Sequence, residues 1–191
     1  MRLNLIMWTI LIILIIALSI QALAESRKDE FDVSLIKAAF TADLPEVIKF
    51  IEKGANVNAK HNNDLTPLHA AVIGVSGNID DRTKIVKLLI DKGANAHVKD
   101  KKANAPLSYA VENGHEKIIN LFLAKGCEKD ELGMALVIAA QGGKSKIAKL
   151  LIDNGADVNF KTPEGATSLM KAQQNNHTDV LELLKKAGAT K

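Results

Sequence analysis

Five histidines, one cysteine and two adjacent aspartates are the residues whose types and spacing could do chemistry. His115-Glu116 opens like a zinc-protease pair, in which two histidines one helical turn apart hold the metal and the glutamate acts as base. The position for the second histidine is Ile119, so that ligand set is incomplete. Asp80-Asp81 beside Asn78 could ligate a divalent ion. A calcium loop needs alternating oxygen ligands and a closing glutamate, which this stretch lacks, so it reads as a solvated loop. Cys127 is the single cysteine, which excludes an intramolecular disulfide. It takes the place of Ala in a Gly-Ala pair and reads as a small packing residue, with a reactive or intermolecular thiol as the alternative. No nucleophile elbow, phosphate-binding glycine loop or cysteine–histidine cluster occurs. No catalytic residue, metal or cofactor is therefore assigned. An enzyme or metal-dependent protein with a dispersed site near residues 74–82 stands as the alternative function.

The elements around these residues repeat. A small residue recurs at Ala38, Ala71, Ala110, Ala139 and Ala172, and a glycine follows each at Gly54, Gly93, Gly126, Gly155 and Gly188. The separation is 16 residues in four copies and 22 in the second, which carries an insertion of 6. Gly54 to Leu68, Gly93 to Leu107 and Gly155 to Leu169 each span 14 residues, whereas Gly126 to Leu136 spans only 10. In the best copy Thr66 can cap a helix and Pro67 suits its first position. Gly93 can end the partner helix in the left-handed conformation. A unit of about 33 residues with two helices and a turn is a known solenoid period.

Thr66-Pro67-Leu68-His69, Gly54-Ala55-Asn56-Val57-Asn58, Gly155-Ala156-Asp157-Val158-Asn159 and Asn113-Gly114-His115 resemble ankyrin repeats. The likeness covers residues 33–191. Ala105-Pro106-Leu107-Ser108 and Met134-Ala135-Leu136-Val137 depart from the signature. The resemblance implies an all-α solenoid of five stacked helix-turn-helix units with β-hairpin or loop fingers. The units run 33–60, 61–99, 100–129, 130–161 and 162–191. It also implies that His69, His115 and His177 tie backbone turns together, and that the array binds protein without catalysing a reaction. His61 and His97 fall on hairpins and are expected to be exposed.

Position in the second helix marks the ends of the array. Eight and eleven residues past the marker alanine stand Ile85 and Leu88, Ile118 and Leu121, Ile147 and Leu150, Val180 and Leu183, after correction for the insertion. The first copy has Glu46 and Lys49 there, and the last has Lys185 where the others have Ile51, Ile90, Leu123 and Ile152. Charge at a terminal face solvates a surface that has no neighbour, so the array reads as complete at five units. Residues 74–82 read as a loop between two helices.

Composition and charge bound the core and the partner. Aromatic residues are 4% against 47% hydrophobic, so the core must be aliphatic. The net charge of +3 is too small to indicate nucleic acid. Residues 1–24 stand apart: Arg2, an apolar run from Leu5 to Leu18, then Ala22-Leu23-Ala24. This is the pattern of a secretory signal cut after Ala24. The rival is an uncleaved anchor, because Leu5 to Ala24 could just span a bilayer. Either way the repeats are expected outside the cytoplasm, periplasmic or secreted, in an exported bacterial protein that acts as a monomer. Residues 25–32 read as a charged linker. The partner-binding surface is placed on Lys60, His61, Asn62 and Asn63 of one finger, on Lys99, Asp100, Lys101 and Lys102 of the next, and on Tyr109, Glu112 and Asn113 beside them. The short connection after Gly126 predicts a stunted finger and hence a gap in the row.

Overall fold

A computed structural model describes residues 2–74 and 77–190, with the side chains of the first helix described from residue 14 onward. Ten helices occur among these residues. They are α1 (Arg2–Thr41), α2 (Leu44–Glu52), α3 (Pro67–Ile73), α4 (Ile79–Asp91), α5 (Pro106–Asn113), α6 (Glu116–Lys125), α7 (Lys129–Gln141), α8 (Ser145–Asp153), α9 (Ser168–Gln174) and α10 (Thr178–Lys186). They form five antiparallel pairs. The first helices α1, α3, α5, α7 and α9 pack in one row, and the second helices cover them from behind. No strand is present among the described residues, and the only bridge pairs His61 with Leu65 at one finger.

The helix boundaries follow from the local chemistry. Thr66 and Thr167 accept the backbone N–H groups of His69 and Met170, at 3.4 and 3.2 Å, and so begin α3 and α9. The five stopping glycines all lie at φ between +87° and +92°, a conformation costly for any residue with a Cβ. Ile85, Ile118, Ile147 and Val180 are buried between neighbouring pairs, as their spacing requires. At the N-terminal face the equivalent Glu46 and Lys49 pair with each other at 2.6 Å instead. The core is aliphatic apart from Phe122, which is fully buried.

Three stretches differ from the sequence reading. The expected loop 74–82 is shorter, because Asn78 caps α4 and residues 79–82 are its first turn. Arg82 is thereby carried inward, where its guanidinium donates to the Ala71 carbonyl. Val75 and Ser76 of that stretch lie outside the described residues. The stunted finger after Gly126 is no finger at all: α7 begins at Lys129, more than a full turn before its counterparts. Phe160 of the last finger closes against the backbone of Gly133 in that extra length of helix. Finally, residues 25–32 continue α1 without a break, and Phe31 packs against Phe50 of α2 with ring centroids 6.2 Å apart. Among the described residues no helix is long and apolar enough to cross a membrane. The side chains of residues 1–13, which include most of the Leu5–Leu18 run, lie outside them.

Gly133 gives a test of this packing. Alanine in a helix interior is normally favoured over glycine by about 1 kcal/mol. Here a Cβ would overlap Cβ and Cγ of Phe160, the near end of that side chain, so the ring cannot swing clear. Overpacking costs about 1–3 kcal/mol and should win. Gly133→Ala is expected to destabilise the chain in urea unfolding, and the same change in a Phe160→Ala background is expected to be neutral or stabilising.

Candidate functional site

The fingers are loops held by side-chain caps and by one another. In the first, the backbone groups of His61 and Leu65 exchange two hydrogen bonds of 3.0 Å. The tip between them turns through Asn62, Asn63 and Asp64 at φ 25°, 59° and 62°. Asn and Asp are the non-glycine residues that tolerate this region best. In the second finger Asp100 organises the turn. Its Oδ1 accepts the N–H groups of Lys102 and Asn104 at 2.8 and 3.0 Å, and its Oδ2 accepts the Tyr109 hydroxyl at 2.5 Å. The two tips are joined directly, for the Lys101 N–H donates to the Asn63 carbonyl at 2.9 Å.

That bond brings the predicted residues together. Lys60, His61, Asn62 and Asn63 are exposed on one finger, and Lys99, Lys101 and Lys102 are exposed on the next. Glu112 is exposed at the end of α5. Asn113 is exposed too, but its amide donates to the Val72 carbonyl at 3.0 Å and so finishes the neighbouring helix. Tyr109 is half-buried with its hydroxyl committed to Asp100. Burial and that bond push its pKa up to about 12. Asp100, grouped with the tips from sequence, is buried. Burial alone would raise its pKa, yet the bonds from Tyr109, Asn104 and Lys102 outweigh that and hold it below the usual carboxylate value. The sequence contains no pattern that marks this inward turn apart from Asp100 itself, an aspartate two residues before Lys102 and four before Asn104.

Two of the three signature histidines, His69 and His177, behave as backbone ties, and no such bond is made by His115 among the described residues. Thr66 N–H donates to Nδ1 of His69 at 3.2 Å, and Nε2 stands 3.1 Å from the Asn104 carbonyl of the second finger. Nε2 of His177 stands 3.0 Å from the Gln141 carbonyl. His97 departs from the exposed hairpin position expected for it. It is half-buried, with Nδ1 2.8 Å from Oε2 of Glu131 in α7.

The other candidates for chemistry are engaged elsewhere. Asp80 pairs with Lys117 at 2.7 Å and Asp81 with Lys84 at 2.8 Å. No group of three or more His, Cys, Asp or Glu that could hold a metal occurs among the described residues. The Cys127 Sγ donates to the Phe122 carbonyl at 3.4 Å. Burial and then Glu131 push its pKa up to about 11, so the thiol stays protonated near neutral pH. Near the insertion a cavity of about 270 Å³ is lined by Gly74, Gly77, Ile79, Arg82, Asn113 and His115. Among the described residues its lining includes the imidazole of His115 but no carboxylate.

Residues 35–132 and 129–191 match the family model described as ankyrin repeats in three copies. The chain is 32% identical over 186 residues to the ankyrin repeat and KH domain-containing protein mask-1 of Caenorhabditis elegans, covering 80% of this chain and 7% of that one. It is 35% identical over 120 residues to a putative ankyrin repeat-containing protein of Treponema pallidum, covering 60% and 39% respectively. It is 35% identical over 168 residues to alpha-latrocrustotoxin-Lt1a of Latrodectus tredecimguttatus, covering 81% and 12%. The chain thus spans well under half the length of each of these relatives.

The His69 tie has a pH signature. Burial lowers its pKa below 6.5, only partly opposed by the Asn104 carbonyl and Asp100 and reinforced by Lys60. The unfolded chain takes up a proton near pH 6.5, and the folded ring does so only at lower pH. Its contribution to stability is complete above about pH 6.5 and is lost as pH falls from there through the folded pKa. The thermal midpoint should drop on acidification from about pH 7.5 to 5, and His69→Asn should flatten that slope while lowering the midpoint at neutral pH.

Proposed function

We propose, from the premise that the chain belongs to the ankyrin-repeat family, that it binds a protein partner through the paired first and second fingers, outside the cytoplasm. The family itself indicates a protein–protein interaction module. The observation that carries the finer reading is the Lys101–Asn63 backbone bond. It makes one surface of two fingers whose exposed side chains are mainly basic and amide. Such a surface suits an acidic or polar partner. Complementary charge at an exposed rim acts mostly on the encounter rate and is screened by salt. Glu112 and the exposed edge of Tyr109 would extend that surface along α5.

Export is the second part of this reading. It rests on Arg2, the apolar run and Ala22-Leu23-Ala24, and any membrane contact would be made by residues 1–24 alone. An exported chain with one half-buried cysteine needs no disulfide for its fold.

Two experiments test these parts. Binding of the captured partner should weaken about tenfold or more in Lys101→Glu/Lys102→Glu and should change little in Lys185→Glu/Lys186→Glu. Equal losses from both pairs, at unchanged helicity, would remove the special role of the fingers. Intact-mass analysis of the exported protein should show a chain beginning at Glu25. A mass that retains residues 1–24 would establish the anchor instead.

A further inference from the structure

The missing finger leaves a cleft, bounded by the second finger on one side and the last finger on the other. Its floor is the first two turns of α7, with Asp130, Glu131 and Met134. Ala103 of the second finger and Phe160 and Pro163 of the last supply apolar walls. The volume is about 120 Å³, room for a few waters or for the head of one long side chain.

Glu131 is the unusual group here. It is 3% exposed, and its Oε2 is doubly used, by His97 Nδ1 at 2.8 Å and by the Glu128 N–H at 3.1 Å. Its Oε1 is buried and has no hydrogen-bond partner among the described residues. Buried polar atoms are almost always paired, so an unpaired carboxylate oxygen beside a cleft marks a place where a donor belongs. Asp130 adds a second acid at the same floor. Lys99 is the opposing charge, carried at the rim on an exposed and flexible side chain.

We propose that this cleft is a subsite that receives a basic side chain of the protein partner, an arginine above all. The proposal rests on the protein-binding reading above and adds to it the chemistry of one contact. A guanidinium donates in several directions from a plane. One edge can pair with Asp130 and, with a small shift of the floor, with the buried Glu131 Oε1, while the face lies on the Phe160 ring, and both contacts strengthen in a desolvated cleft. A lysine could satisfy the charge but not the stacked, forked geometry. The subsite would fix the register of a partner whose remaining surface faces the basic tips.

The probe is Nα-acetyl-arginine amide, titrated into the isotope-labelled full chain, with the neutral isostere Nα-acetyl-citrulline amide as control. Amide shifts should move at Glu131, Gly133 and Phe160 with the arginine probe. Citrulline should bind about tenfold more weakly, the loss expected for one charge-assisted bond. Glu131→Gln should lose about as much, Asp130→Asn less, and Lys99→Ser should tighten binding. If Glu131→Gln does not fold, the comparison of the two probes on the unsubstituted chain decides alone. An equal response to citrulline, or no movement of those amides in saturating probe, overturns the subsite. Lys99→Ser also separates the two readings: it should weaken an acidic partner at the fingers while strengthening the arginine probe. Failure of the probe with finger charge reversal still effective removes only the cleft.

Discussion

The backbone N–H two residues past a stopping glycine is the group through which most units of the stack are held in register. At two junctions it is accepted by a side chain of the preceding repeat, Asn95 N–H by Asn58 and Thr190 N–H by Asn159, each at 2.7 Å, and at the N-terminal end Asp32 of α1 accepts the Asn56 N–H at 2.6 Å. Asn58 and Asn159 also return a bond to the carbonyls of Gly93 and Gly188. Burial of Ile85, Ile118, Ile147 and Val180 supplies far more stabilisation, but apolar contact is non-directional. A bond worth about 0.5–1.5 kcal/mol at each junction is enough to select one sliding position among several that bury similar area. Because a repeat cannot bury both its faces alone, the staple and the apolar seam together make the array one cooperative body.

Much of this was legible in the sequence. The 16-residue spacing, with the insertion of 6 allowed for in the second copy, located all five helix pairs, because it couples a buried alanine to a glycine that must adopt positive φ. The charged pair Glu46–Lys49 identified the N-terminal face, because charge persists there only in water. Three features escaped. The helical course of residues 25–32 was hidden by their charge, although no glycine or proline interrupts the chain from Arg2 to Thr41. Arg82 read as loop because a guanidinium is rarely carried inside, and only the Asn78 cap could have signalled that α4 starts early. The candidate finger residues were legible as tips, but the roles of Asp100, Asn113 and Tyr109 were not. Whether a polar side chain faces water or a carbonyl depends on a neighbour distant in sequence, such as Val72 for Asn113.

The connection after Gly126 shows how the staple constrains a change in loop length. Four residues are absent there, and with them the finger. The position of Asn58 is taken in the second repeat by His97, four residues after its glycine. The Glu128 N–H nevertheless needs an acceptor. It finds one in Glu131, three residues ahead on α7, which turns back as in a capping box. His97 then bonds the same oxygen, so the two repeats remain tied through a carboxylate instead of an amide. An asparagine in that role uses its one carbonyl oxygen on the N–H and its NH₂ on the glycine carbonyl. A carboxylate has no donor, and its second oxygen is left over. The orphan Oε1 follows from a carboxylate standing where other junctions use an amide, and the absence of a finger leaves the space beside it. The unsatisfied atom and the cleft thus lie side by side at the junction that has no finger.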